Sequence, residues 1–95
     1  MLNTQLLGNF KSVENFGGRN GKVKNQLKIQ TDKGLVFQSY NSVIAANVSG
    51  KTYIDADKWD YSTTTGKYRN QFLGENKAAT EKKIASGEYI LCDLN

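Results

Sequence analysis

The sequence predicts an α+β domain: an antiparallel sheet of about four or five strands with two short helices packed on one face. Three observations predict it. Over much of the stretch from Val23 to Asp55, apolar and polar residues alternate with period two, broken only by turn residues. After Asp55 the apolar residues recur at helical spacing instead. In that second half, capping residues and glycines bracket two segments, Ser/Thr ahead of the first and Gly74 behind it, then Asn76 and Gly87 around the second. The 95 residues are read as one domain, 1–95, close to the smallest size at which a core alone suffices.

Leu2, Leu6 and Phe10 fall at helical spacing, but Gly8 interrupts them, so the lead-in reads as a strand or irregular segment. "GGRNG", residues 17–21, is a turn or a mobile loop. Val23, Leu27 and Ile29 then oppose Lys24, Lys28 and Gln30 as the two faces of a strand. Asp32 to Gly34 turn the chain into a hairpin with "LVFQSY". "SVIAANV" is a further strand, Ser49 and Gly50 make a second tight turn, and "KTYID" returns as its partner.

Tyr61, Tyr68, Phe72 and Leu73 make one helical face, ended by Gly74. Asn76 caps "KAATEKKIAS", with Ile84 and Ala85 as its buried candidates and Gly87 as its end. "EYILC" closes the chain as a strand with apolar residues on both sides, which predicts an interior position.

The net charge of +4 is compatible with a polyanionic partner and equally with none. Arg19, Lys22, Lys24 and Lys28 fall in one stretch without an acid, and "DADKWD", residues 55–60, is the acidic cluster. The chain has no histidine, hence neither the commonest general base nor the commonest metal ligand. Its one cysteine, Cys92, excludes an internal disulfide and points to a reducing compartment. In an apolar strand with no histidine to activate it, Cys92 reads as a structural thiol. These absences predict no catalytic residues, no metal and no cofactor. No secretory signal or membrane-length apolar run is present in the sequence, so a cytoplasmic, membrane-free protein is expected.

The densest stretch is "YSTTTGKYRNQFLG", residues 61–74. A Ser/Thr run before a helix is a capping signal, because the hydroxyls accept from the free amides of the first turn. The same amides and the helix dipole can hold an anion, and Thr64, Thr65, Lys67 and Arg69 are placed to help. Both readings stay open. The nucleotide-binding P-loop is excluded, since Tyr61 stands where its first glycine belongs and Tyr68 where its Ser or Thr belongs.

Asp55, Asp57 and Asp60 do not meet the calcium-loop spacing and read as a solvated acidic turn. Trp59 and Tyr61, and likewise Tyr40, Tyr53 and Tyr68, are either core or a surface on which bases could stack. The bases from Arg19 to Lys28 are either a charged strand face that discourages edge pairing or a phosphate-contacting arm.

Ser39, Tyr40, Ile44 and Ala45, followed by Tyr61, Ser62, Thr64, Thr65 and Lys67, carry a resemblance to a family of small uncharacterised bacteriophage and prophage proteins. The shared pattern is Ser-Tyr, then Ile-Ala, then Tyr-Ser-x-Thr-Thr ahead of a basic helix. The resemblance implies a phage setting, the cytoplasm of a bacterial host, and no catalytic residues.

The expected function is therefore non-enzymatic binding of nucleic acid, or of a nucleic-acid-handling complex, through Arg19, Lys22, Lys24, Lys28, Lys67, Arg69, Thr64 and Thr65. The alternative is a protein-directed inhibitor of a host factor such as a bacterial defence nuclease, acting like an anti-CRISPR protein. An enzyme would require Lys67, Arg69 or Tyr68 to converge with an acid such as Asp60. The small size is also compatible with a homodimer through a sheet edge.

Overall fold

The computed structural model describes residues 4–18 and 21–95, without the side chains of Thr4, Gly18 and Lys22. Its elements run α1 (Thr4–Leu7), β1 (Phe10–Gly18), β2 (Gly21–Thr31), β3 (Gly34–Ser39), β4 (Ser42–Val48), β5 (Lys51–Asp55), α2 (Thr63–Leu73), α3 (Lys77–Ser86) and β6 (Tyr89–Cys92). Among the described residues the six strands form one sheet in chain order. The first five make an antiparallel meander, and β6 pairs parallel to β5. The α+β class is observed, but the sheet is mixed and longer than expected. The lead-in is a four-residue helix followed by a nine-residue strand. The crossover through α2 and α3 returns the chain to the end where β5 began, so β6 must run parallel.

The turns follow from local chemistry. Between β4 and β5, Ser49 and Gly50 take φ of 52° and 75°, both positive, as a two-residue type I′ loop requires. At the β2–β3 turn, a Cβ on Gly34 would overlap the carbonyl oxygen of Asn47, so only glycine fits. The β3–β4 loop is Tyr40 and Asn41. Tyr40 takes a φ of 56°, at a position usually filled by glycine.

Both faces of the sheet are covered. On one, α2 and α3 pack Tyr68, Phe72, Leu73 and Ile84 over Phe16, Phe37, Ile44, Ala45 and Ile54. On the other, Leu6 and Leu7 of α1 and Leu94 near the C-terminus close over Ile29, Val36, Val43 and Ala46. Strand β4 explains its own unbroken apolar run. Phe37 pairs with Ala45 and Gln38 with Val43, leaving Ile44 as a bulge. Ile44 and Ala45 thus both serve the helix side, while Val43 and Ala46 serve the opposite cluster.

Two expectations change. Strand β6 is an edge strand, with β5 as its neighbour. Its apolar residues on both sides report two covered faces, Tyr89 against the α3 side and Cys92 in the opposite cluster. Burial counts layers above and below a strand, and says nothing of lateral partners. Ala85 is exposed on α3, and Ile84 alone of that pair packs inward.

Candidate functional site

The helix α2 starts where the hydroxyl run predicts. Ser62 is the N-cap, and its Oγ accepts from the Thr65 amide at 3.1 Å. Thr65 is buried, its Oγ1 sharing hydrogen bonds with Ser39 Oγ at 2.9 Å and Ser62 Oγ at 3.0 Å. The capping reading is therefore observed, and Thr65 is part of the fold rather than free to meet a ligand. At the other end Gly74 is left-handed, with φ 70°, and its amide closes the helix on the Asn70 carbonyl.

Beside this N-terminus lies an open depression of about 700 Å³. Thr63, Gly66, Lys67 and Asn70 line it as one stripe of α2, at i, i+3, i+4 and i+7. Asp60 from the preceding turn and Lys77 from the first turn of α3 complete its walls, with Arg69 beneath. Three cations thus face one carboxylate. That carboxylate is already engaged: Asp60 accepts from Lys77 Nζ at 2.6 Å and from Arg69 Nη1 at 3.0 Å. The Lys77 bond first, and the Arg69 bond after it, hold the Asp60 carboxyl below its ordinary range against the opposing effect of burial. The same bond raises the Lys77 ammonium.

Arg69 is only 1% exposed, which corrects its expected role as a phosphate contact. Its Nη1 donates to the Trp59 carbonyl at 2.9 Å as well as to Asp60, and its Nη2 donates to Asn70 Oδ1 at 3.0 Å. The guanidinium also lies 5.0 Å from the centre of the Trp59 ring. Such a group positions the acidic turn against α2. Its Nε has no hydrogen-bond partner among the described residues.

Lys67 is exposed, sits 5.3 Å over the Tyr68 ring and meets no carboxylate among the described residues. Thr64 is exposed on the same turn. Arg19 and the Lys22 side chain lie outside the described residues. Lys24 is exposed on β2. Lys28 pairs with Glu14 at 3.4 Å and borders a separate depression on β1–β3 together with Ser12 and Gln30. Lys67 and Lys28 line different depressions, but Lys28 also lies 5.3 Å over the Phe16 ring, which packs on the Tyr68 ring beneath Lys67.

Of the groups an enzyme would need, Asp60, Lys67 and Arg69 line one depression, while Tyr68 is buried against the Phe16 ring at 5.4 Å. Asp55, expected in a solvated turn, is buried too. Its carboxylate accepts from the amides of Asp57, Lys58 and Leu94 and from the Asn95 side chain. Burial, then the nearby charges of Asp55 and Asp93, push the Cys92 thiol up, so its nucleophilic thiolate is disfavoured. Among the described residues no group of three His, Cys, Asp or Glu is placed to hold a metal ion, and no helix is long and apolar enough to cross a membrane.

Sequence reasoning missed Lys77 as a residue of this depression and named Asp60 only as the acid an enzyme would need. The stripe from Thr63 to Asn70 was legible in the spacing. Lys77 was not, because its approach depends on the turn between the two helices.

Residues 8–88 match the profile of a family of unknown function, DUF8033. No curated protein and no solved structure matches the chain. The chain belongs to the DUF8033 family.

Proposed function

We propose that this DUF8033 member is a non-enzymatic binding module that grips the phosphate backbone of a nucleic acid at the start of α2. One observation carries the reading: the α2 depression gathers three cations around a single carboxylate, and that carboxylate is already paired. An entering anion therefore meets surplus positive charge. Lys67, which meets no carboxylate among the described residues, is the direct contact, and Lys77 the second. The exposed Thr63 and Thr64 add hydroxyl donors, and the first amides of the helix have no intrahelical acceptor. Buried Arg69 supports this geometry by holding Asp60 and the Trp59 carbonyl in place.

Each phosphate contact releases counterions, so affinity falls as salt rises. Fluorescence anisotropy with labelled DNA and RNA at two salt concentrations tests the reading. Binding at low salt that weakens steeply at high salt supports it, and absence of binding at low salt removes it. The inhibitor reading predicts instead that one bacterial protein is recovered at fixed stoichiometry from lysate treated with nuclease.

A further inference from the structure

We infer that the partner is a single strand, whose bases stack on Tyr40 and Tyr61 while its phosphates meet Lys67 and Lys77. The inference rests on the backbone-binding reading above and adds the chemical class of the ligand.

Tyr40 and Tyr61 are 47% and 45% exposed, and neither belongs to a core cluster. They lie far apart in sequence but are carried by segments that meet at one point. Ser39, just before Tyr40, and Ser62, just after Tyr61, both bond the Thr65 hydroxyl in the first turn of α2. The segments that carry the two tyrosines are thus tied to the first turn of α2, beside the depression, which neither tyrosine itself lines.

Tyr40 is also in a conformation that the fold alone would not choose for it. Its φ of 56° is the left-handed region, where glycine is at ease and an aromatic residue is not. The surroundings hold it there: its amide donates to the Asn25 carbonyl at 2.7 Å, and its carbonyl accepts from Gln38 Nε2 at 3.0 Å. The backbone of Tyr40 is thus held in place, and its half-exposed side chain belongs to no core cluster. The Lys58 ammonium lies over one face of the Tyr61 ring, 5.5 Å from its centre, and adds positive charge there.

A duplex hides the faces of its bases in the stack. A single strand presents both phosphates and unstacked bases, the combination that lysines beside exposed aromatics recognise.

The test uses three probes of equal length: a single-stranded oligothymidylate, a duplex, and a strand of abasic deoxyribose phosphates. The protein should prefer the oligothymidylate to the abasic strand by about tenfold or more. Tyr40→Gly and Tyr61→Ala should each weaken oligothymidylate binding about tenfold and leave abasic binding unchanged. Tyr61→Phe should bind as the parent does. Tyr40→Gly should melt no lower than the parent, because glycine relieves the left-handed backbone, so loss of binding cannot come from unfolding. Equal affinity for the three probes, or tyrosine variants that bind like the parent, overturns the single-strand inference and leaves the backbone reading standing. No binding to any probe removes the backbone reading itself.

Discussion

The hydroxyls of Ser39 and Thr65 lie 2.9 Å apart, fully enclosed between the β3–β4 hairpin and the first turn of α2. This bond ties the sheet to the end of the helix that carries the candidate site. Thr65→Val keeps the shape and deletes the hydroxyl, leaving Ser39 and Ser62 short of a partner. It should cost about 1–3 kcal/mol in urea denaturation. A change below about 0.5 kcal/mol would show that the hydroxyl bonds contribute nothing net.

Gln26 presents the opposite case. Its side chain is 0% exposed, and neither its Oε1 nor its Nε2 has a partner among the described residues. It pairs in register with Ser39 and so lies on the same face. An unpaired buried amide is costly, so Gln26→Leu should be neutral or stabilising, by up to about 2 kcal/mol. A clear fall in the urea midpoint would mean that the amide is satisfied in solution.

The proposed function gives Lys67 and Arg69 different roles, contact and support. Lys67→Gln should leave stability within about 0.5 kcal/mol and lower the salt slope of nucleic-acid binding by about 1. Arg69→Lys cannot reproduce the planar fork on Trp59, Asp60 and Asn70, and should cost about 1–3 kcal/mol in stability. Its salt slope should stay as in the parent, since the guanidinium is enclosed. A slope change for Arg69→Lys with stability intact would reverse the two roles.

Asp60 is one of the carboxylates that shape the response to acid. Its folded carboxyl titrates below the ordinary 3.8, through the Lys77 hydrogen bond first. A depressed folded value gives stability that is fully present above the unfolded value and lost as pH falls through the folded one. Asp60→Asn should therefore be less stable than the parent at pH 7, and the gap should close below about pH 4. Thermal melts of both proteins across that range decide it; a gap that persists unchanged at low pH would contradict the ion-pair account.

The C-terminal cover is open to a simpler test. Leu94 is wholly buried under the sheet, and its amide donates to Asp55 Oδ1 at 2.7 Å. Leu94→Ala should cost about 2–5 kcal/mol in denaturant unfolding. A negligible cost would mean that the second face of the sheet is not closed by this segment.

Local chemistry made much of this molecule legible in its sequence. Ser62, Gly74, Asn76 and Gly87 stand at the helix ends because each answers a backbone need that sequence neighbours reveal. The Asp32–Gly34 and Ser49–Gly50 turns are legible for the same reason. What hid was non-local. Strand β6 shows covered faces in its composition, but its place at the edge depends on the crossover. Lys77 enters the site, and Arg69 is enclosed beneath it, through packing between α2, α3 and the Trp59 turn. Asp55 looks like a solvated acid until the chain end returns to donate to it. Tyr40 reads as one more aromatic residue until its backbone shows a positive φ.

The central claim is that a nucleic-acid strand sits at the start of α2. Titrating the isotope-labelled protein with a short oligothymidylate at low salt, and following every backbone amide by NMR, tests it most directly. The account predicts shifts concentrated at Ser39–Asn41, Asp60–Lys67 and Lys77, fading as salt is added. Shifts confined to β1 and β2, or a spectrum unchanged by a large excess of the strand, would contradict it.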